Sequence, residues 1–130
     1  MPSQPKAGAV IYAKDILRVG QFYAGTMDFE VVHAEADHLV LESPVFQLVV
    51  LAIPSAIGST IEVADPPMRR TDVAIKPVFY VPSIAAVREA AARLGGQLNP
   101  REQEWRFQQA VVCDGHDPEG NVLQFRQTSG

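Results

Sequence analysis

The feature that most limits what this chain can fold into is an internal repeat. Ala9 to Ala13 (AVIYA) is a short apolar run with strand character, and Asp15 behind it can cap a helix. Ile16, Val19, Phe22 and Tyr23 then recur at helical spacing, which predicts a helix with one apolar face to about Thr26. Three strand-like runs follow, Phe29 to Glu35, His38 to Glu42 and Val45 to Ile53, separated by AEAD and by Ser43-Pro44. The same order then returns. Val78 to Val81 reads as a strand, Ser83 as an N-cap, and Ile84, Val87, Ala90, Ala91 and Leu94 as a helical face stopped by Gly95-Gly96. Gln97-Leu98, the run Trp105 to Cys113, the turn Asp117-Pro118-Glu119-Gly120 and a strand from Asn121 to Gln127 complete it. Ser83 stands 68 positions after Asp15, and the same offset lays Ile11-Tyr12 on Phe79-Tyr80, Ile16 on Ile84 and Val19 on Val87. A βαβββ unit used twice implies an α+β fold, a mixed sheet with the helices on one face of each half.

Between the halves, Pro54 to Asp72 is rich in Pro, Ser, Gly and charge and reads as a linker or surface loop. The expected organisation is one domain, with a first module over about 8–53, a linker over 54–72 and a second module over about 73–127. The opening MPSQPKAG predicts a loose tail to about Lys6. At 130 residues the chain can bury a real core without disulfides. A formal charge of −4 and scattered basic residues offer no stripe for phosphates, so no nucleic acid is expected as a partner. The longest mostly apolar run, Val45 to Ile53, is far short of the roughly 20 residues of a membrane span. No charged-then-apolar leader precedes it, and a single cysteine, Cys113, fits a reducing compartment. The expected location is cytoplasmic, and Cys113 itself reads as a small buried strand residue.

With the paired halves go the start YAKDILRVGQFYAGTMDFEVV with its Phe22-Tyr23 pair, the helix AAVREAAARLGG and the ending DPEGNVLQF. On these segments, about residues 8–127, the chain resembles the vicinal oxygen chelate superfamily, which includes glyoxalase I, bleomycin-resistance proteins and extradiol dioxygenases. The resemblance implies that the modules form a curved mixed sheet with an open cleft for small molecules, often in a homodimer. It also implies four metal-ligand positions. These fall on Gly8, on Val49 or the nearby Gln47, on Lys76, and on Gln124, where a glutamate is typical. Gly8 and Val49 carry no donor, Lys76 brings a cation to a cation site, and a neutral amide is a weak ligand. No metal and no cofactor is therefore expected at that site. Relocated ligands are a weaker alternative. His33-Ala34-Glu35-Ala36-Asp37-His38 lacks the spacing of a helical His-Glu-x-x-His motif. In one continuous strand its two histidines would point to opposite faces, so it reads as a hairpin turn with solvated acids.

Alternation assigns the rest. Gly8, Val10 and Tyr12 share one face with Lys76, Val78 and Tyr80, and Val122, Gln124 and Arg126 join them. Ile11, Phe79, Val81, Leu123 and Phe125 then take the core. Trp105 and Phe107 share a phase, on either the cleft wall or the core side. The expected ligand-binding residues are Tyr12, Lys76, Tyr80, Trp105, Gln124 and Arg126, an apolar and aromatic lining with polar fixers. Lys76 and Arg126 favour an anionic or carbonyl-bearing ligand. His116 either reaches the cleft or is an exposed turn residue. Three functions stay open. They are a metal-free binder of a small organic molecule, an enzyme of glyoxalase or dioxygenase type with relocated metal ligands or with Lys76, a tyrosine or His116 as a metal-free acid or base, and a regulatory or structural dimer with a residual cleft.

Overall fold

The computed structural model describes residues 6–128. The tail expected before Lys6 lies outside them, apart from Lys6 itself, which is exposed and pairs with Glu42 at 3.2 Å. The first half is β1 (Ala7–Ala13), α1 (Ile16–Met27), β2 (Glu30–Ala34), β3 (His38–Glu42) and β4 (Phe46–Ala52). A four-residue helix α2 (Ser55–Gly58) opens the connecting loop. The second half is β5 (Val78–Tyr80), α3 (Ile84–Arg93), β6 (Gln97–Leu98), β7 (Trp105–Phe107), β8 (Ala110–His116) and β9 (Val122–Thr128). Each half makes its own mixed sheet, in the orders β1-β4-β3-β2 and β5-β9-β8-β6, with β7 also on β8. In both, the first and last strands are parallel and the other pairs antiparallel, the pattern a strand-helix-strand crossover requires.

The caps sit where the sequence places them. Asp15 accepts from the Arg18 amide and Ser83 from the Ala86 amide, each satisfying one free amide of a helix start. The apolar stripes of both helices and one face of each sheet share a single core that includes Val19, Phe22, Leu48, Val50, Ile84, Val87, Leu123 and Phe125. Burying a side chain of this size contributes roughly 1.5–3 kcal/mol. Aromatic edges join the halves: Phe79 of β5 lies edge-on to Phe46 of β4 at 5.3 Å and to Phe29 at 6.1 Å. Cys113 is buried in β8, as its apolar strand setting predicts, and burial pushes its thiol pKa up.

Two local expectations change. The run Trp105 to Cys113 is a hairpin, broken at Gln108 and Gln109, which take positive φ of 49° and 68°. Two such residues between strands form the turn whose twist matches a β-ribbon, usually built with Asn-Gly. The following strand also runs on to His116, because Asp114, Gly115 and His116 pair with Gln124, Leu123 and Val122.

The Asp117-Pro118-Glu119-Gly120 turn fastens the first half to the second. Asp117 is fully buried and accepts from the Tyr23 hydroxyl at 2.8 Å, from the Glu119 and Asn121 amides, and from the Asn121 side chain. Glu119 accepts from the amides of Lys14 and Asp15 at 2.9 and 2.8 Å. Burial, with Asp117 beside it, holds the Tyr23 phenol well above its ordinary pKa, so the fold favours the neutral form. Its contribution is complete below the unfolded-state value of about 10 and is lost as pH rises beyond it. Tyr23→Phe should cost about 1–3 kcal/mol in urea unfolding at neutral pH, because Asp117 loses a buried donor. The variant should also lose less stability than the parent between pH 9 and 11; parallel profiles would show that Tyr23 does not carry the alkaline loss.

Candidate functional site

Paired residues of a sheet share a face, so the register of the second sheet defines its surface. Val78 and Tyr80 of β5 stand opposite Gln124 and Arg126 of β9, which stand opposite Asp114 and Val112 of β8, and Val112 stands opposite Trp105 of β7. The alternate residues Phe79, Leu123, Phe125 and Cys113 are in the core. The face away from it carries a chain of polar contacts. Lys76 Nζ donates to Asp114 Oδ2 at 2.8 Å, Gln124 Nε2 to Asp114 Oδ1 at 3.1 Å, and Arg126 Nε to Gln124 Oε1 at 2.9 Å. The Arg126 guanidinium carbon lies 5.0 Å from the centroid of Phe107 and 6.0 Å from that of Tyr80, within cation–π range. Tyr80, Phe107 and Trp105 are 64%, 46% and 42% exposed, so Trp105 and Phe107 belong to this face and not to the core.

Five of the six residues expected to bind a ligand thus stand together: Lys76, Tyr80, Trp105, Gln124 and Arg126. Tyr12 stands apart on β1. It shares a groove of about 320 Å³ with Val10, Ile75, Pro77 and Val122, at the boundary between the halves. A second boundary groove, about 440 Å³, is lined by Phe29, Val45, Phe46, Val78 and Tyr80. Asp114 is a functional candidate with no sequence-based assignment, and Phe107, open on sequence between cleft wall and core, stands on this face. Asp114 is in phase with Val112 and with Gln124, a signal visible once β8 is extended to His116.

His116 is neither an exposed turn residue nor open to solvent. It closes β8 at 5% exposure, and Arg69 of the connecting loop covers it. Arg69 Nε donates to His116 Nδ1 at 2.9 Å and a second Arg69 nitrogen to Asn99 Oδ1 at 2.6 Å. The next residue, Arg70, donates its amide to Gly120 O, and a Cβ at Gly120 would lie 2.1 Å from Met68 O. The loop is therefore strapped onto the turn that ties the halves. Burial, then the Arg69 charge, push the His116 pKa down against the opposing pull of Asp117.

The positions where the superfamily holds its metal can be tested on this register. Val10 of β1 pairs with Val49 of β4 as Val78 pairs with Gln124, so Val49 rather than Gln47 is the counterpart of Gln124. Gly8 and Lys76 each precede those β1 and β5 residues by two. A Cβ at Gly8 would lie 2.9 Å from Gln47 O, so the position is closed to a larger side chain as the backbone stands. Lys76 is committed to Asp114, and both ends of the Gln124 amide are occupied. This donor set does not fit a divalent ion.

No family model matches the chain, and no curated protein is similar to it in sequence. Its architecture has clear counterparts. A glyoxalase/bleomycin resistance protein/dioxygenase family enzyme from Burkholderia phytofirmans PsJN superposes with a TM-score of 0.70 at 15% identity, covering 94% of this chain and 97% of that one. A glyoxalase-related enzyme from Fulvimarina pelagi gives 0.68 at 15% identity over 96% and 88%. A bleomycin resistance determinant encoded on the transposon Tn5 gives 0.63 at 15% identity over 98% and 100%. The chain has the α+β fold of the glyoxalase/bleomycin-resistance proteins, as the resemblance implied. Among the described residues, no helix is long and apolar enough to cross a membrane.

Because the fold lowers the His116 pKa, its contribution to stability is present above the unfolded value of about 6.5 and is lost as pH falls below it. The urea midpoint should drop between pH 8 and pH 5, and His116→Gln should flatten that drop. A variant profile as steep as the parent's would assign the acid loss to carboxylates instead.

Proposed function

We propose that the chain is a binding protein for small organic anions, with no metal at the four superfamily positions, and that its ligand rests on the open face of the second sheet. One observation carries this reading: three large aromatic side chains, Tyr80, Phe107 and Trp105, are left exposed on a face whose Arg126 guanidinium lies against Phe107 and Tyr80 and whose Lys76 pairs with Asp114. Exposed aromatic clusters with a few converging polar groups are the usual composition of a small-molecule site. Lys76 and Arg126 against Asp114 leave one net positive charge, which suits a monoanion. The aromatic rings suit a planar body stacked on them. In this reading Gln124 positions Arg126, and Tyr12 closes the site from the first half or from a second copy of the chain.

The two-module division over 8–53 and 73–127, a homodimer and a cytoplasmic location belong to the same reading. Val10, Tyr12, Ile75, Val78 and Tyr80 are all exposed apolar residues near the boundary of the halves, a surface that a second copy would cover. That the Tn5 protein is a bleomycin resistance determinant supports a role toward a small molecule as a use for such a scaffold.

The first test is a thermal-shift comparison of 1-naphthoate with 1-naphthylmethanol, which share a ring system and differ in charge. Binding to the native state raises the melting midpoint. The anion should give the larger shift, and Arg126→Met should bring the two together; equal shifts in the parent would remove the anion preference, and none with either would sink the reading. Gln124→Leu frees Arg126 from its tether and should weaken naphthoate binding about tenfold, near the cost of one charge-assisted hydrogen bond. Unchanged affinity would take Gln124 out of the site. Sedimentation equilibrium should give twice the chain mass; a monomer would leave Tyr12 without a partner copy to act through.

A further inference from the structure

We infer that His33 and His38 form a two-imidazole site for a divalent transition-metal ion of the kind imidazole favours, zinc, nickel or copper, on the first sheet. Strand alternation alone would separate these histidines. In β2, Val31 pairs with Leu41 but His33 pairs with Val40, so Val32 is an inserted residue, a β-bulge. The bulge turns His33 onto the face of Val40, Val49 and Val10, the side away from the core. His38 belongs to the same face, two residues before Val40 on β3. The two rings end up 5.4 Å apart between centroids, tilted by 34°.

That separation suits shared coordination. With metal–nitrogen bonds of about 2.0–2.1 Å and a tetrahedral angle, two imidazole centroids around one ion stand about 5.2 Å apart. The surroundings supply the outer partners that metal-binding histidines commonly have. His38 Nδ1 lies 2.8 Å from Asp37 Oδ1 and His33 Nε2 lies 3.2 Å from Glu35 Oε1. The Asp37 carboxylate accepts from His38 Nδ1, which leaves the Nε2 lone pair of His38 for the ion, while Glu35 stands at ion-pair distance from His33. Residues 28–42 carry five carboxylates and no lysine or arginine, so the local field also favours a cation. Among the described residues no three such donors surround one point, which leaves two positions or more to water or to an exogenous ligand. The site shares no residue with the ligand face of the second sheet, so the two proposals stand or fall separately.

Isothermal titration of the full chain with zinc chloride, after chelator treatment and removal of the chelator, tests the site. One saturable ion per chain is expected, with no response to magnesium, which prefers oxygen ligands. Both histidines are partly exposed, so His33→Gln and His38→Gln should fold normally by circular dichroism. Each should weaken zinc at least tenfold, and the double variant should abolish saturable binding. Asp37→Asn should weaken zinc about 10- to 100-fold with both imidazoles retained. Absence of saturable binding in the parent, or full binding in the double variant, would overturn the inference.

Discussion

The buried carboxylate of Asp117 is the constraint on which the two halves depend. It sits at the turn between the last two strands of the second half, yet one of its four donors, the Tyr23 hydroxyl, comes from the helix α1 of the first. A buried charge costs stability unless its lone pairs are satisfied, and here three donors are supplied by its own turn. The fourth is satisfied only when α1 is docked. Glu119 repeats the logic two residues on, by accepting from the amides that lead into α1. Apolar packing between α1, α3 and the two inner sheet faces supplies most of the attraction, but it is not directional. These hydrogen bonds fix how the halves are set against each other.

The same turn governs the end of the open face. Arg69 reaches His116 at the last residue of β8, and Arg70 bonds the backbone of Gly120. A side chain at Gly120 would collide with Met68 O, and its φ of 83° suits glycine alone. The loop, the turn and the open face are thus mechanically continuous. Motion of the loop would uncover His116 at one end of the strand whose Asp114 holds Lys76 and Gln124.

How much of this could be read from the sequence follows the range of the interactions. The caps at Asp15 and Ser83 are decided within three residues, and the apolar stripes within two helical turns, so both were legible. The inward and outward phases of β1, β5 and β9 were legible for the same reason: alternation is local and a core face enforces it. The hairpin at Gln108-Gln109 was not, because glutamine is a poor marker of a turn that needs positive φ and the pairing of β7 with β8 holds it there. The bulge at Val32 depends on a partner strand and carries no mark in the sequence. Arg69 on His116 spans 47 positions and Lys76 on Asp114 spans 38, distances at which only the folded sheet decides who meets whom.

Gln124 illustrates the limit best. Read alone, it is a neutral amide at a position where the resemblance implies a carboxylate. In the sheet it stands opposite Asp114, donating to that carboxylate and accepting from Arg126. A glutamate in its place would set two carboxylates side by side and remove the donor to Asp114, with Lys76 and Arg126 already occupying the positions a metal's charge would take. Even so, Val49 would add no donor, and Gly8 has no room for one. The amide at position 124 is therefore coupled to Lys76 and Asp114: together they form a neutral, internally satisfied set of contacts. Restoring the carboxylate alone would break that set without assembling a metal site.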